Sequence, residues 1–146
     1  TVNIIIMTRI NAFIPVEELS SKHLIAEHRE IKRIPNHVAK HFKKLSLTKI
    51  PKQFTLNTGH VTFFFDKGEF TYKRYEQLYE ECKRRGFNVT YFGHAWDIYS
   101  DISTNWYKDI KATPQEKIRI QTLIRDRIRS NEQKALEKKL AKKLVA

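Results

Sequence analysis

The sequence predicts an all-α fold: a compact single domain of about three main helices with long irregular connections, plus a basic C-terminal tail helix. Three observations carry this. The 146 residues suit one domain with one modest core. Four glycines and four prolines are few, which favours helices with short joints. Apolar side chains recur at spacings of three and four over long stretches. The expected division is an upstream extension at 1–7, the folded domain at 8–130 and a helical tail at 131–146.

The extension comes first. Val2, Ile4, Ile5 and Ile6 form an apolar patch too short for a signal peptide, with no basic segment ahead of it. Met7-Thr8 reads as a translation start with residues attached upstream. The first helix is expected from about Ser21 to Lys44. Leu24, His28, Ile31, Pro35, Val38, Phe42 and Leu45 fall on one stripe at 100° per residue. Lys22, Arg29, Arg33, His37, Lys40 and Lys44 take the other side. Ser20 or Ser21 can cap it, with Glu17 and Glu18 near the positive end of the dipole. Pro35 should kink or divide it.

Val61 to Phe65 is a short apolar run that local propensity assigns to a strand, although no partner strand is evident. A second helix should run from Gly68 or Glu69 to about Arg85, with Phe70, Arg74, Gln77, Leu78 and Cys82 near one face and Gly86 as its stop. Tyr91 to Tyr107 is irregular and aromatic. Its Trp96, Trp106 and Tyr107 read as core more readily than as base-stacking platforms. Thr113 can cap a third helix, with Pro114 in its first turn and Ile118, Leu123 or Thr122, Ile124 and Ile128 on an imperfect apolar face. Leu136, Leu140 and Leu144 line one side of the tail helix.

Charge narrows the partner. Twenty-eight Lys and Arg stand against sixteen Asp and Glu, a net +12, so a polyanion is the default partner and nucleic acid the commonest. Residues 130–146 supply +3 of it and the rest of the chain +9. No run of 18 apolar residues occurs without a charge, which excludes a membrane-spanning helix. Cys82, the single cysteine, can form neither an internal disulfide nor a thiolate zinc site, so nothing argues for secretion. The expected compartment is the cytoplasm, the host's if the source is a virus.

Few residues carry obvious chemistry. Histidines stand at 23, 28, 37, 41, 60 and 94. His37 and His41 are one helical turn apart, yet no cysteine or carboxylate joins them at a ligand spacing and there is no HExxH, so they read as solvated. No Gly-rich phosphate loop or nucleophile elbow is present. The suggestive group is Arg29, Glu30 and Arg33. A carboxylate among arginines can move protons while the arginines hold phosphates. The same spacing also describes an ordinary surface ion-pair cluster worth less than about 1 kcal/mol.

These residues also carry a resemblance. Met7-Thr8-Arg9-Ile10-Asn11, His23-Leu24, Ala26-Glu27 and Arg29-Glu30 with Arg33 resemble the amino-terminal third of the endonuclease V type of pyrimidine-dimer DNA glycosylase. Gly59-His60-Val61-Thr62-Phe63-Phe64, Asp66-Lys67, Cys82 and Arg85-Gly86-Phe87-Asn88 match the middle of that family in the same order. The likeness spans about residues 7–89 and thins beyond, where Thr113-Pro114 and Gln121 to Ile128 sit at the place of the family's third helix.

The resemblance implies a DNA repair glycosylase and abasic-site lyase that acts on double-stranded DNA containing pyrimidine dimers or abasic sites. It implies no metal and no cofactor. In such enzymes an amino-terminal threonine, freed by loss of methionine, attacks the sugar of the 5′ pyrimidine; the imine that results leads to β-elimination of the strand. Carried over, the nucleophile is Thr8 and the glutamate that steadies the sugar cation and moves protons is Glu30. Arg9, Arg29 and Arg33 match phosphate-holding arginines, and His23 matches a residue near the lesion. An α-amine with a pKa of roughly 7.7–8.0 suits the task near neutrality.

Three departures qualify the likeness. Six residues precede Met7, and a peptide nitrogen at Thr8 cannot form an imine. Either the written sequence begins upstream of the natural start, or Thr1 supplies the amine, or the chain binds DNA without cutting it. Leu123 stands where the family has an arginine, leaving Arg125 and Arg127 for phosphates. The family's aromatic ending is replaced by Lys134, Lys138, Lys139, Lys142 and Lys143, on a helix that reads as solvated or core-capping with non-specific phosphate attraction, rather than as membrane-bound. No useful heptad seam appears outside the first helix, so a monomer is expected.

Overall fold

The apolar stripe that begins at Leu24 forms two helices rather than one. In the computed structural model, which describes residues 8–145, α1 spans Ser21–Glu30 and α2 Arg33–His41. They are followed by α3 (His60–Phe63), α4 (Gly68–Arg84) and α5 (Pro114–Val145). Short 3₁₀ turns fill the connections, and the described residues contain no strand, only an isolated bridge between Lys67 and Tyr107. The all-α expectation holds. The upstream patch at Val2 and Ile4–Ile6, with Met7, lies outside the described residues. The chain divides into two units, 1–111 and 112–146.

In the first unit Ser20 is the cap of α1; its Oγ accepts the His23 N–H at 3.3 Å. Leu24, His28, Ile31, Pro35 and Val38 are all buried, as the stripe requires. The division falls at Ile31–Lys32, a few residues before Pro35. Pro35 then sits in the first turn of α2, where its missing N–H leaves no bond unmade.

The strand expected at Val61 to Phe65 is instead the turn α3 and its continuation, closed by bonds from Phe63 N to Gly59 O (3.0 Å) and Phe64 N to Val61 O (3.0 Å). A lone apolar run has no ladder to join. Coiling buries His60, Val61, Phe63, Phe64 and Phe65 at once, and tertiary packing overrides propensity.

Along α4 the buried stripe is Thr71, Tyr75, Leu78 and Cys82, with Arg74 and Glu81 beside it. Gln77, expected on the inner face, is exposed, and Phe70 is half-buried. The displaced stripe lets polar atoms meet partners: Trp96 Nε1 donates to Thr71 Oγ1 at 3.0 Å, and Tyr75 Oη accepts the Phe92 N–H at 2.6 Å. Gly86 ends the helix at φ 84°, a conformation glycine adopts without strain. Gly68 opens it beneath two rings; a Cβ there would stand 2.7 Å from Tyr107 and 2.8 Å from Tyr99. The aromatic stretch coils as 3₁₀ helix over Gly93–Ser100, and Trp96, Tyr99 and Trp106 are core. Tyr107 is exposed.

In the second unit, Thr113 Oγ1 accepts the Glu116 N–H at 3.1 Å and Pro114 takes the first helical position, as expected. The third helix and the tail are one element, α5, continuous through residue 130. Its buried side chains are Ile120 and Ile124; Ile118 is 62% exposed, because the apolar face there is narrower than the sequence suggests.

Candidate functional site

The site is assembled at the amino-terminal end of the described chain. Ile10 is fully buried and its N–H donates to His60 Nε2 at 3.0 Å. That bond makes Nε2 an acceptor, so Nδ1 carries the proton and donates to Thr55 O at 2.9 Å. His60 is itself 2% exposed, edge-on to Phe54 and Phe64. A neutral histidine therefore fixes the backbone two residues after Thr8.

Thr8 is fully buried. Arg33, from the first turn of α2, donates through Nη1 to Thr8 Oγ1 at 3.4 Å. The same nitrogen lies 3.8 Å from Glu30 Oε1, at the end of α1. Arg29 closes the other side of the carboxylate at 3.3 Å. Glu30 closes α1 and Arg33 opens α2, and at three positions apart the two side chains fall on the same side of the chain and face one another. Exposure runs from 57% for the Arg29 side chain through 27% for Arg33 to 16% for Glu30, so the carboxylate is recessed behind its arginines. Arg9 is exposed and reaches back to Thr8 O at 3.3 Å.

Further charge lies next to this group. The Lys32 ammonium sits over the Phe92 ring, 3.4 Å from its centre. Burial, then Arg33 and Arg29, hold its pKa below the usual lysine value. Beside Arg9 opens a cavity of about 380 Å³, lined by His37, Asn57, His60, Thr62 and Phe65 among others. His37 stacks on Phe65 with ring centres 5.0 Å apart, so it is partly covered rather than solvated; burial, then His41 and Lys40, lower its pKa. Among the described residues no three His, Cys, Asp or Glu side chains converge on a metal-sized space.

Thr8, Arg9, Arg29, Glu30 and Arg33 thus form one cluster. His23 does not adjoin it through a described bond: it pairs with Ser20 at 2.8 Å, at the opposite end of α1 from Glu30. Arg125 and Arg127 lie on α5, in the second unit. Sequence reasoning missed His60 as an organiser of the site. Its only signal is its place in the Gly59-His60-Val61 motif, since nothing local reveals a partner 50 residues away.

It also missed the purpose of Asn11 and Glu27. Glu27 Oε2 takes Arg74 Nε at 2.8 Å, and Glu27 Oε1 takes Arg74 Nη2 at 3.0 Å and Asn11 Nδ2 at 2.8 Å. Arg74 Nη1 also donates to Ile14 O at 2.5 Å. Both charged side chains are nearly inaccessible, at 3% and 1%, and every strong hydrogen-bonding atom has a partner, the condition under which a buried ion pair is tolerable. This network fastens the segment after Thr8 to α1 and α4.

The model of a known family, the pyrimidine dimer DNA glycosylases, matches residues 7–92. The match takes in Thr8, Arg9, His23, Arg29, Glu30, Arg33 and His60, and ends before α5. With more than half its length covered, the chain belongs to the pyrimidine dimer DNA glycosylase family, a family of DNA repair enzymes.

Proposed function

We propose that the enzyme cuts the glycosidic bond of the 5′ pyrimidine in a cyclobutane dimer and then breaks the strand as an abasic-site lyase. Thr8, as the first residue of the active chain, attacks C1′ with its α-amine, and the base leaves. The sugar ring opens to an imine, loss of a C2′ proton expels the 3′ phosphate oxygen, and water later frees the enzyme. Glu30 steadies the cationic sugar and carries protons at the ring oxygen and C2′. Arg9, Arg29 and Arg33 hold the phosphates that bracket the lesion, with His23, Arg125 and Arg127 contributing along the bound DNA. The protein acts as a monomer and accepts abasic sites as well as dimers.

One observation carries this reading: the Arg33 guanidinium touches both Thr8 and Glu30, joining residues 22 positions apart in sequence into one cluster. The family match, which begins at Met7, supports Thr8 as the residue that follows a start methionine. The test is reductive trapping. Protein beginning at Thr8, mixed with dimer-containing duplex and borohydride, should yield a covalent adduct on the Thr8 peptide by mass spectrometry. DNA binding without any adduct would leave the second reading, a non-catalytic DNA-binding protein on the same fold. The observation that favours that reading is the peptide bond ahead of Thr8 in the chain as written.

A further inference from the structure

The helix α5 changes sides along its length. At about 100° per residue, Ile120 and Ile124 lie on a line that continues through Asn131, Lys134, Lys138 and Lys142. Leu136, Leu140 and Leu144 stand roughly opposite that line. The face that is buried in the first half is thus a lysine column in the second. From residue 129 to 145 every position is exposed. The three lysines recur every four residues, about 6 Å apart along the axis, with Lys139 and Lys143 in a parallel row. No continuous apolar seam runs the length of the helix, so its second half is not an extension of the packing that buries the first.

We propose that residues 131–145 form a phosphate-gripping arm, with Lys134, Lys138 and Lys142 laid along the backbone of duplex DNA outside the lesion. A line of positive charge complements a line of phosphates, and the released counterions drive binding without regard to sequence. A second copy of the chain is a poor occupant, since each arm carries five lysines against two glutamates. A lipid surface is poorer than DNA, because the apolar side offers three leucines and the chain has no aromatic residue beyond Tyr107. The arm lies outside residues 7–92, so the family match does not supply it. The inference rests on the proposed action on duplex DNA.

The experiment measures affinity of the protein beginning at Thr8, and of its K134Q/K138Q/K142Q variant, for an undamaged duplex across a salt series, with circular dichroism to confirm the helix. The triple variant should bind roughly tenfold or more weakly at low salt. Its plot of log affinity against log salt should be shallower by about 2 to 3. Cleavage of dimer-containing duplex at saturating enzyme should be unchanged. An unchanged salt slope in a variant that still cuts overturns the arm alone. Binding to phosphatidylserine vesicles that depends on the three lysines, with an unchanged DNA slope, overturns it in favour of a lipid surface. Protein beginning at Thr8 that neither binds nor cuts overturns the proposed function and the arm with it.

Discussion

Glu27 and Glu30 are one turn apart on the same helix and live in different chemistry. Glu27 is 1% exposed and saturated: Arg74 grips both oxygens and Asn11 adds a third bond. Glu30 is 16% exposed, and its arginines stand off at 3.3 and 3.8 Å. The first arrangement has no capacity left for a ligand. The second is a carboxylate held in reach of positive charge and open to solvent, the state in which a group can exchange protons with a bound sugar. Saturation builds the fold, and the incompletely engaged carboxylate is the one we propose for the chemistry.

That contrast can be broken or sharpened by experiment. The largest effect expected is on turnover. Glu30→Gln should lower strand cleavage by about 10²–10⁴-fold, with its thermal midpoint essentially unmoved; a melting curve beside a nicking assay on dimer duplex checks both. Equal loss of stability would make Glu30 another Glu27. Glu27→Ala should do the converse, destabilising by about 3–5 kcal/mol because the Arg74 charge is left buried and unpaired. Denaturant unfolding measures that cost, and a shift under 1 kcal/mol would show that the pair is not a structural tie.

A smaller effect concerns pH. His28 packs on Tyr75 and Tyr79, and burial, then Lys32, hold its pKa down to about 4 from the usual 6.5. Its Nε2 lies 3.1 Å from Tyr75 Oη, whose own pKa burial raises to about 12. A base with a depressed pKa contributes stability that is complete above about 6.5 and lost as pH falls toward 4. Melting temperature should therefore decline across that window by the equivalent of about 1–3 kcal/mol, and His28→Gln should flatten the decline. Glu81, held by Arg84 and Arg85 at about 2, loses its contribution as pH falls from about 4.5 toward 2, so the two windows fall largely apart. A decline confined below pH 4 would assign the acid sensitivity to carboxylates instead.

Helices whose signals are local could be read from sequence. Ser20, Gly86, Thr113 and Pro114 punctuate the chain where the structure does. The periodic stripe from Leu24 to Val38 is buried throughout. What escaped has a long-range cause. Val61 to Phe65 looks like a strand in isolation, and only the surrounding rings make coiling the better way to bury it. The cluster of Arg29, Glu30 and Arg33 was visible because its members are neighbours in sequence, but spacing cannot distinguish the engaged Glu27 from the recessed Glu30. That distinction depends on Asn11 and Arg74, which lie 16 and 47 residues from Glu27.

The locks on the amino-terminal segment have a consequence for synthesis. Ile10 is tied to His60, Ile14 to Arg74 and Val16 to Arg85, partners 50, 60 and 69 residues downstream. A ribosome emits the leading segment long before it emits these partners. At about 5–20 residues per second, roughly 3–14 s pass before the last of them is made. During that interval the region around Thr8, fully buried in the finished fold, is still accessible to the proteases that trim nascent chains. On the proposed mechanism, removal of the residues ahead of Thr8 therefore has a head start over folding of the domain.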